Sequence, residues 1–378
     1  MKIIFLGFVI RISIAIINIY FFSLPGGEYD AGAFHQKAIE FKYYIEAGNS
    51  FFDYQYTFGW IYSIVLGYVY YLFGSSELLG SFLSCLTWLI SAVVLREIMI
   101  KLSFSNDLLN FSLFVYCVIF PSSIFFTSFT LREAYLLLFS NLLILLIVNF
   151  LHYKNSSLKI INGIFFILIS ICMFNFHKAG AIFILMTIML LILIIIINKI
   201  KLIEKNLKFI LILFFPFLFF IFEYLGILEE IFIKINSYQQ GHFDTNVYFR
   251  AHYYEKSEIV FREYSVINFI TIVTQNIINY FYQPTNFSVT NFKDFVSIYE
   301  NNLRLIFLFF IFYKFFFKFQ NKPIFIIIFL LFALMESIYA QATVNYGTAS
   351  RHHVTSLGFL VLLIFFPLKN INRKILKI

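Results

Sequence analysis

The chain has 378 residues, 61% of them hydrophobic and 13% charged, with a formal net charge of +8. Apolar runs this long and dense exclude a soluble globular enzyme and describe a polytopic membrane protein. The positive balance reads as a topology signal and not as a nucleic-acid footprint, and Cys85, Cys117 and Cys172, all inside apolar runs, predict packed small hydrophobes with no disulfide framework or metal cluster.

The first apolar run, residues 3–22, is too long for a removed signal peptide and lacks a small-residue cleavage site, so it predicts a first membrane helix. Further windows of membrane-spanning length follow at 77–97, 108–126, 131–151, 159–176, 180–198, 207–227, 303–320, 323–341 and 354–368. The expected fold is therefore all-α, with about ten transmembrane helices in a single integral membrane domain, 1–378.

Basic turns fix the expected topology. REIMIK (96–101), HYKNSSLK (152–159), KIKLIEKNLK (199–208), YKFFFKFQNK (313–322) and KNINRKILKI (369–378) all read as cytoplasmic, and Lys2 places the N-terminus there too. Segment 58–74, FGWIYSIVLGYVYYLFG, must then return to the face it left, as a re-entrant or interfacial element. In 266–281, Val266, Phe269, Ile270, Val273, Ile277 and Tyr280 form an apolar stripe opposed by Asn268, Thr271, Gln275 and Asn279, which predicts a surface helix in a long outer loop, 228–302.

On this map four polar clusters share the outer face: PGGEYDAGAFHQK (25–37), TLREAY (130–135), NFHKAG (175–180) and NYGTASRHH (345–353). In the first, Asp30 stands at the N-cap of an amphipathic helix marked by Phe34, Ala38, Phe41 and Ile45. As a cap it contributes about 1 kcal/mol and needs no chemistry; facing a cavity it is a general base, with His35 about one and a half turns further on. Arg132 either snorkels to the interface beside a solvated Glu133 or holds a phosphate that Glu133 helps to orient. Arg351, His352 and His353 are either interfacial anchors or an anion site, guanidinium gripping phosphate oxygens and imidazole shuttling a proton. His177 and Lys178 lie in the third cluster. Intramembrane charges at Arg11, Glu223 and Glu336 are expected to face the bundle interior, either glutamate holding Arg132 or Arg351. Aromatic and amide residues in 237–258 suit a sugar chain or an interfacial lid.

The motifs EYDAGAFHQKA, the segment ending in LFG, PSSIFFTSFTLREAY and NYGTASRHH together resemble membrane glycosyltransferases of the GT-C type, and more narrowly O-antigen polymerases of the Wzy type. The resemblance implies a catalytic Asp30, with Glu28 as a departing first acid, a second acid at Glu133, and substrate-binding cations at Arg132 and Arg351 with His352 and His353. Glu28-x-Asp30 is not Asp-x-Asp, and several such families need no metal, so no cofactor is expected and a divalent cation is the less favoured option. The implied location is a bacterial inner membrane, with both termini cytoplasmic and the active site periplasmic. Implied partners are a polyprenyl-pyrophosphate-linked oligosaccharide, membrane lipid and a chain-length regulator protein. Two rival readings stand beside polymerisation: a GT-C transferase adding one sugar from a polyprenyl-phosphate donor, and a lipid-linked oligosaccharide flippase.

Overall fold

The computed structural model describes residues 1–24, 30–50, 53–54, 61–152, 156–199, 222–244, 264–282, 292–317, 323–341, 343 and 346–370. They are predominantly helical, with no strand among the described residues. In chain order the helices are α1 (Lys2–Tyr20), α2 (Asp30–Glu46), α3 (Ile61–Phe73), α4 (Glu77–Lys101), α5 (Asn106–Phe114), α6 (Pro121–Phe126), α7 (Glu133–His152), α8 (Ser156–Phe176), α9 (Lys178–Lys199), α10 (Ile227–Asp244), α11 (Val266–Tyr282), α12 (Phe292–Phe317), α13 (Pro323–Gln341), α14 (Tyr346–Thr355) and α15 (Leu357–Phe365).

Among the described residues, six helices are long and apolar enough to cross a membrane: Lys2–Tyr20, Glu77–Lys101, Glu133–Leu151, Ser157–Phe176, Phe295–Phe315 and Ile324–Gln341. A seventh arises if the bent pair Thr348–Thr355 and Leu357–Lys369 is one span. Two expected spans are broken, for local reasons. The window 108–126 divides into α5, a π-helical turn at Val115–Ile119, an extended Phe120 and α6, which opens on Pro121. Proline has no N–H to continue the ladder and drives its predecessor out of the helical region. The window 354–368 lies beyond a 62° bend. There Thr355 Oγ1 donates to the His352 carbonyl and Ser356 Oγ to the His353 carbonyl, so hydroxyls take the bonds the next turn would have made. Most of 207–227 falls outside the described residues. Helix α3 has 13 residues, a rise of about 20 Å that falls short of a hydrocarbon core of about 30 Å; it packs along α2.

Close packing separates the chain into two compact units, residues 1–182, 324–332 and 351–378 in one and 183–323 and 333–350 in the other. The first unit is organised around a buried arginine. Arg11, fully buried in α1, donates to Thr127 Oγ1 at 2.7 Å, to the Cys117 carbonyl at 3.0 Å, to the Gly7 carbonyl at 3.1 Å and to Ser123 Oγ at 3.2 Å. Its guanidinium lies 3.5 Å from the centroid of the Trp88 ring, a face that attracts cations more strongly once both are out of water. A π-turn leaves carbonyls outside the regular ladder, and the Cys117 carbonyl from that turn is one of Arg11's acceptors.

Below Trp88, Tyr116 stacks on the indole with ring centroids 6.2 Å apart, and its hydroxyl meets Ser91 Oγ at 2.9 Å. Asn141 of α7 donates to Ser91 Oγ at 2.8 Å and to the Tyr116 hydroxyl at 3.1 Å, which ties α4, the π-turn and α7 together. Gly358 of α15 sits so close to this network that a Cβ there would fall 1.8 Å from Asn141 Oδ1.

In the second unit the inward face of α11 is shifted from the apolar stripe that the sequence marks: Tyr280 is buried and Phe269 packs on the Phe232–Ile272 core, but Asn276 and Asn279 turn inward beside them and Ile270 is exposed. In α11 the buried residues are Ile272, Asn276, Asn279 and Tyr280, while Ile267, Ile270 and Ile278 are exposed. Asn276 donates to Gln341 Oε1 at 2.9 Å, and Gln341 donates back to the Val273 carbonyl at 3.4 Å, so hydrogen bonding to α13 sets which face turns inward. In α12 Arg304 and Glu300 form a buried i,i+4 ion pair at 2.8 Å, with Ser297 and Asn301 buried beside it. Glu223 accepts a hydrogen bond from Tyr264, and Glu336 is buried on α13.

Gly358→Ala is expected to destabilise the protein by about 1–3 kcal/mol through overpacking against Asn141. Thermal unfolding in detergent checks this, and Asn141→Ser in the same chain should recover part of the loss because it vacates the contested space.

Candidate functional site

Within the first unit, one end of the helix bundle gathers the chemistry. Asp30 opens α2, Glu133 opens α7, His177 links α8 to α9, and α14 carries Arg351, His352 and His353. The corner leading into Glu133 is pinned to the start of α4. Thr130 Oγ1 donates to the Glu77 carbonyl at 3.1 Å and lies 3.2 Å from Ser81 Oγ, while Ser84 donates to the Leu131 carbonyl at 3.3 Å. Arg11 holds the same corner from beneath through Ser123 and Thr127. Helix openings suit carboxylates, because the N-terminal N–H groups present partial positive charge.

The centre of the site is Arg351. Its guanidinium pairs with Asp30 through one terminal nitrogen, and its Nε lies 2.7 Å from Glu133 Oε1. The two carboxylates differ sharply in setting: the Asp30 side chain is 61% exposed and that of Glu133 only 2%, with Arg351 between them at 13%. Glu133 Oε2 is buried and accepts no hydrogen bond from the described residues. A buried carboxylate oxygen in that state is a costly feature for a fold and a ready acceptor for a ligand hydroxyl.

Arg132, adjacent in sequence, takes a different role. It donates to the Phe176 carbonyl at the C-terminal end of α8 at 3.1 Å, and its guanidinium stands 5.6 Å from the Phe34 ring centroid of α2. A cation at a helix C-terminus is favoured by the backbone dipoles, so Arg132 gathers α2, α7 and α8 at this end. Beneath it Tyr62 packs on Phe34 at 5.2 Å, on Tyr135 at 5.3 Å and on Phe176 at 6.3 Å between ring centroids.

His177 and His352 meet edge to face with ring centroids 5.6 Å apart. His177 Nδ1 accepts the Ala179 N–H at 3.2 Å, which leaves Nε2 as the protonated nitrogen of a neutral ring. Burial, reinforced by the guanidinium groups of Arg132 and Arg351, holds His177 well below the ordinary imidazole range. It is therefore a neutral donor at physiological pH and not an additional cation. His353 is buried on α14 and gives its backbone carbonyl to Ser356.

His35 is turned elsewhere. Its Nδ1 lies 2.7 Å from the Tyr70 hydroxyl on α3, and the two rings pack edge to face at 5.4 Å. Burial lowers the His35 pKa against the opposing pull of Glu77, and burial raises that of the Tyr70 phenol, with Glu77 adding to the rise. The spacing from Asp30 suggests a shared role, yet His35 joins α2 to α3. The side chain of Lys178, and Glu28 and Asn345 with theirs, lie outside the described residues.

The structure thus brings together Asp30, Glu133, Arg351, Arg132, His177 and His352. The sequence offers no signal for the Phe176 carbonyl, the Tyr62 packing or the Tyr70 partner of His35, since each depends on helix ends meeting in space. Two carboxylates here converge on an organic cation, and no group of three or more metal-ligating side chains occurs among the described residues.

Set beside protein-family models, curated proteins and solved structures, the chain matches none of them.

The sign of the pH dependence follows from His177. Its folded pKa is depressed, so the unfolded chain binds the extra proton as pH falls through the ordinary histidine range. Stability is complete above about pH 6.5 and declines below it. The melting temperature of the detergent-solubilised protein is expected to fall from about pH 7.5 to about pH 5.5, and His177→Gln should lessen that slope.

Proposed function

We propose that the chain is a membrane glycosyltransferase of GT-C type that joins polyprenyl-pyrophosphate-linked oligosaccharide repeat units at the outer face of a bacterial inner membrane. The observation that carries this reading is the convergence of Asp30 and Glu133 on Arg351, with Arg132, His177 and His352 at the same end of the helix bundle. A negatively charged leaving group and a hydroxyl nucleophile need such a set: cations for the first, a carboxylate for the second.

In the proposed reaction an Asp30 oxygen takes the proton of an acceptor sugar hydroxyl. The deprotonated hydroxyl oxygen forms the new bond to the anomeric carbon of the donor sugar. The bond from that carbon to the pyrophosphate oxygen breaks, and the electron pair leaves with polyprenyl pyrophosphate. Arg351 meets the charge growing on the leaving oxygen, while Glu133 Oε2 accepts a hydroxyl of the bound sugar. Fixed cations act most strongly where charge develops, and losing one such donor costs about 100- to 1,000-fold in rate; losing a general base costs a similar factor.

Cells carrying Asp30→Asn or Arg351→Ala, with the variant inserted at normal abundance, are expected to make single-repeat and not long-chain polysaccharide. Electrophoretic ladders of the lipid-linked product check this; long chains from both variants would sink the proposal. Product length also separates polymerisation from addition of a single sugar.

One observation favours a second reading. The buried Glu300–Arg304 pair, with Ser297, Asn301 and the inward amides of α11, gives the second unit a polar interior of the kind a lipid-linked oligosaccharide flippase needs. Purified protein that moves labelled lipid-linked sugar across vesicles without lengthening it would establish that reading in place of the first.

A further inference from the structure

We propose that Asp30 is an exchangeable placeholder on Arg351: an incoming pyrophosphate displaces it from the guanidinium, and that displacement releases the Asp30 carboxylate to face the acceptor hydroxyl. The proposal rests on the glycosyl-transfer reading given above and adds an order of events to it, donor anion first and competent base second.

Three features of the geometry lead here. Arg351 is shared by two carboxylates, and only one of them sits where it can leave. Glu133 is buried at the start of α7, in a corner fastened to α4 by Thr130 and Ser84, so separating it from Arg351 strands a charge in an apolar surround. Asp30 is largely in solvent at the first position of α2, where the helix opening and water both stabilise the freed carboxylate. An ion pair with so exposed a partner is weak, and a multiply charged phosphate gains more from a fork of guanidinium donors than the pair loses.

The second feature is occupancy. While Asp30 binds the guanidinium, its lone pairs on that side are engaged and a sugar hydroxyl has no claim on them. One displacement changes both partners, since Arg351 gains the leaving group and Asp30 gains the nucleophile.

The third feature is that, among the described residues, Arg351 is the cation paired with Asp30. Arg132 donates to the Phe176 carbonyl and stands over the Phe34 ring, and His177 is held neutral. Once displaced, the largely exposed Asp30 carboxylate has solvent or substrate within reach.

The test is calorimetric binding of inorganic pyrophosphate to the full chain in phosphatidylcholine nanodiscs. Removing the internal competitor should tighten binding, so Asp30→Asn is expected to bind pyrophosphate roughly two- to fivefold more tightly than the unaltered chain. Asp30→Ser, which also suits a helix opening, should do the same, so a folding defect in either variant leaves the other to decide. Arg351→Gln should abolish the gain in both backgrounds.

Equal or weaker binding by both Asp30 variants would overturn the exchange, as would absence of pyrophosphate binding to the unaltered chain. Repeating the titration with phosphatidylglycerol in the discs separates the sources of phosphate. Unchanged pyrophosphate affinity supports the pyrophosphate assignment, whereas competition by the lipid would transfer the site to a bulk headgroup and overturn it. Failure of the glycosyl-transfer reading looks different: the Asp30 variants would still gain affinity, but cells would show no ladder that depends on this chain.

Discussion

A guanidinium taken out of water must have every donor answered, and the first unit is arranged around that requirement at Arg11. Among the described residues no carboxylate answers it; two backbone carbonyls, two hydroxyls and the face of Trp88 do. That solution demands an irregular backbone. The π-turn at Val115–Ile119 presents the Cys117 carbonyl, and the break before Pro121 brings Ser123 and Thr127 round to α1. Irregular backbone at membrane depth is tolerated where it is buried in protein and its polar groups are bonded, and Arg11 supplies that bonding. The α5–α6 segment is therefore bent for a reason inside the fold, and the corner leading to Glu133 inherits its position from it.

Arg351 meets the same requirement in the opposite way, with two carboxylates and partial access to solvent. Neutral acceptors give Arg11 a fixed and closed environment. Charged partners of unequal exposure give Arg351 one buried ion pair and one that water can contest. The difference between the two arginines lies in this asymmetry, more than in depth along the helix. Arg132 is intermediate, held by a helix-end carbonyl and an aromatic ring, and its main effect is to draw the ends of α2, α7 and α8 together.

Much of this is legible in the sequence, and unevenly. The helical class, the first span, the break of 58–74 away from a full span and the amphipathic helix opening at Asp30 all follow from apolar periodicity and local signals. The gathering of Asp30, Glu133, His177 and Arg351 at one end is what the ten apolar windows lead one to expect, because windows of alternating direction return alternate connections to one side. Pairing does not follow. Arg132 and Glu133 are neighbours in sequence and look like partners, yet one precedes the helix and the other opens it, so their side chains diverge toward α8 and α14. His35 has the right spacing from Asp30 and the wrong partner, because Tyr70 comes from a helix whose packing angle no local pattern encodes. The i,i+4 spacing of Glu300 and Arg304 is open to a sequence reading, but it straddles the start of the apolar window 303–320, where a hydropathy pattern registers the span and not the charges that enter it.

The inward turn of the α11 amides has a more general cause. An apolar stripe opposite an amide stripe has the same periodicity whether the helix lies on a surface with its apolar face buried or stands in lipid with its amides buried. Amphipathic periodicity fixes the axis between the two faces and says nothing about which one meets the protein; that is set by the solvent outside. In a membrane protein the outside is itself apolar, so the polar face is the one that needs a protein partner. Asn276 finds that partner in Gln341, whose own amide returns to the Val273 carbonyl, while Ile267, Ile270 and Ile278 are exposed together with Thr271. For any amphipathic helix in so apolar a chain, the residues to read for packing are therefore its amides and hydroxyls, since they are the groups that water is not there to satisfy.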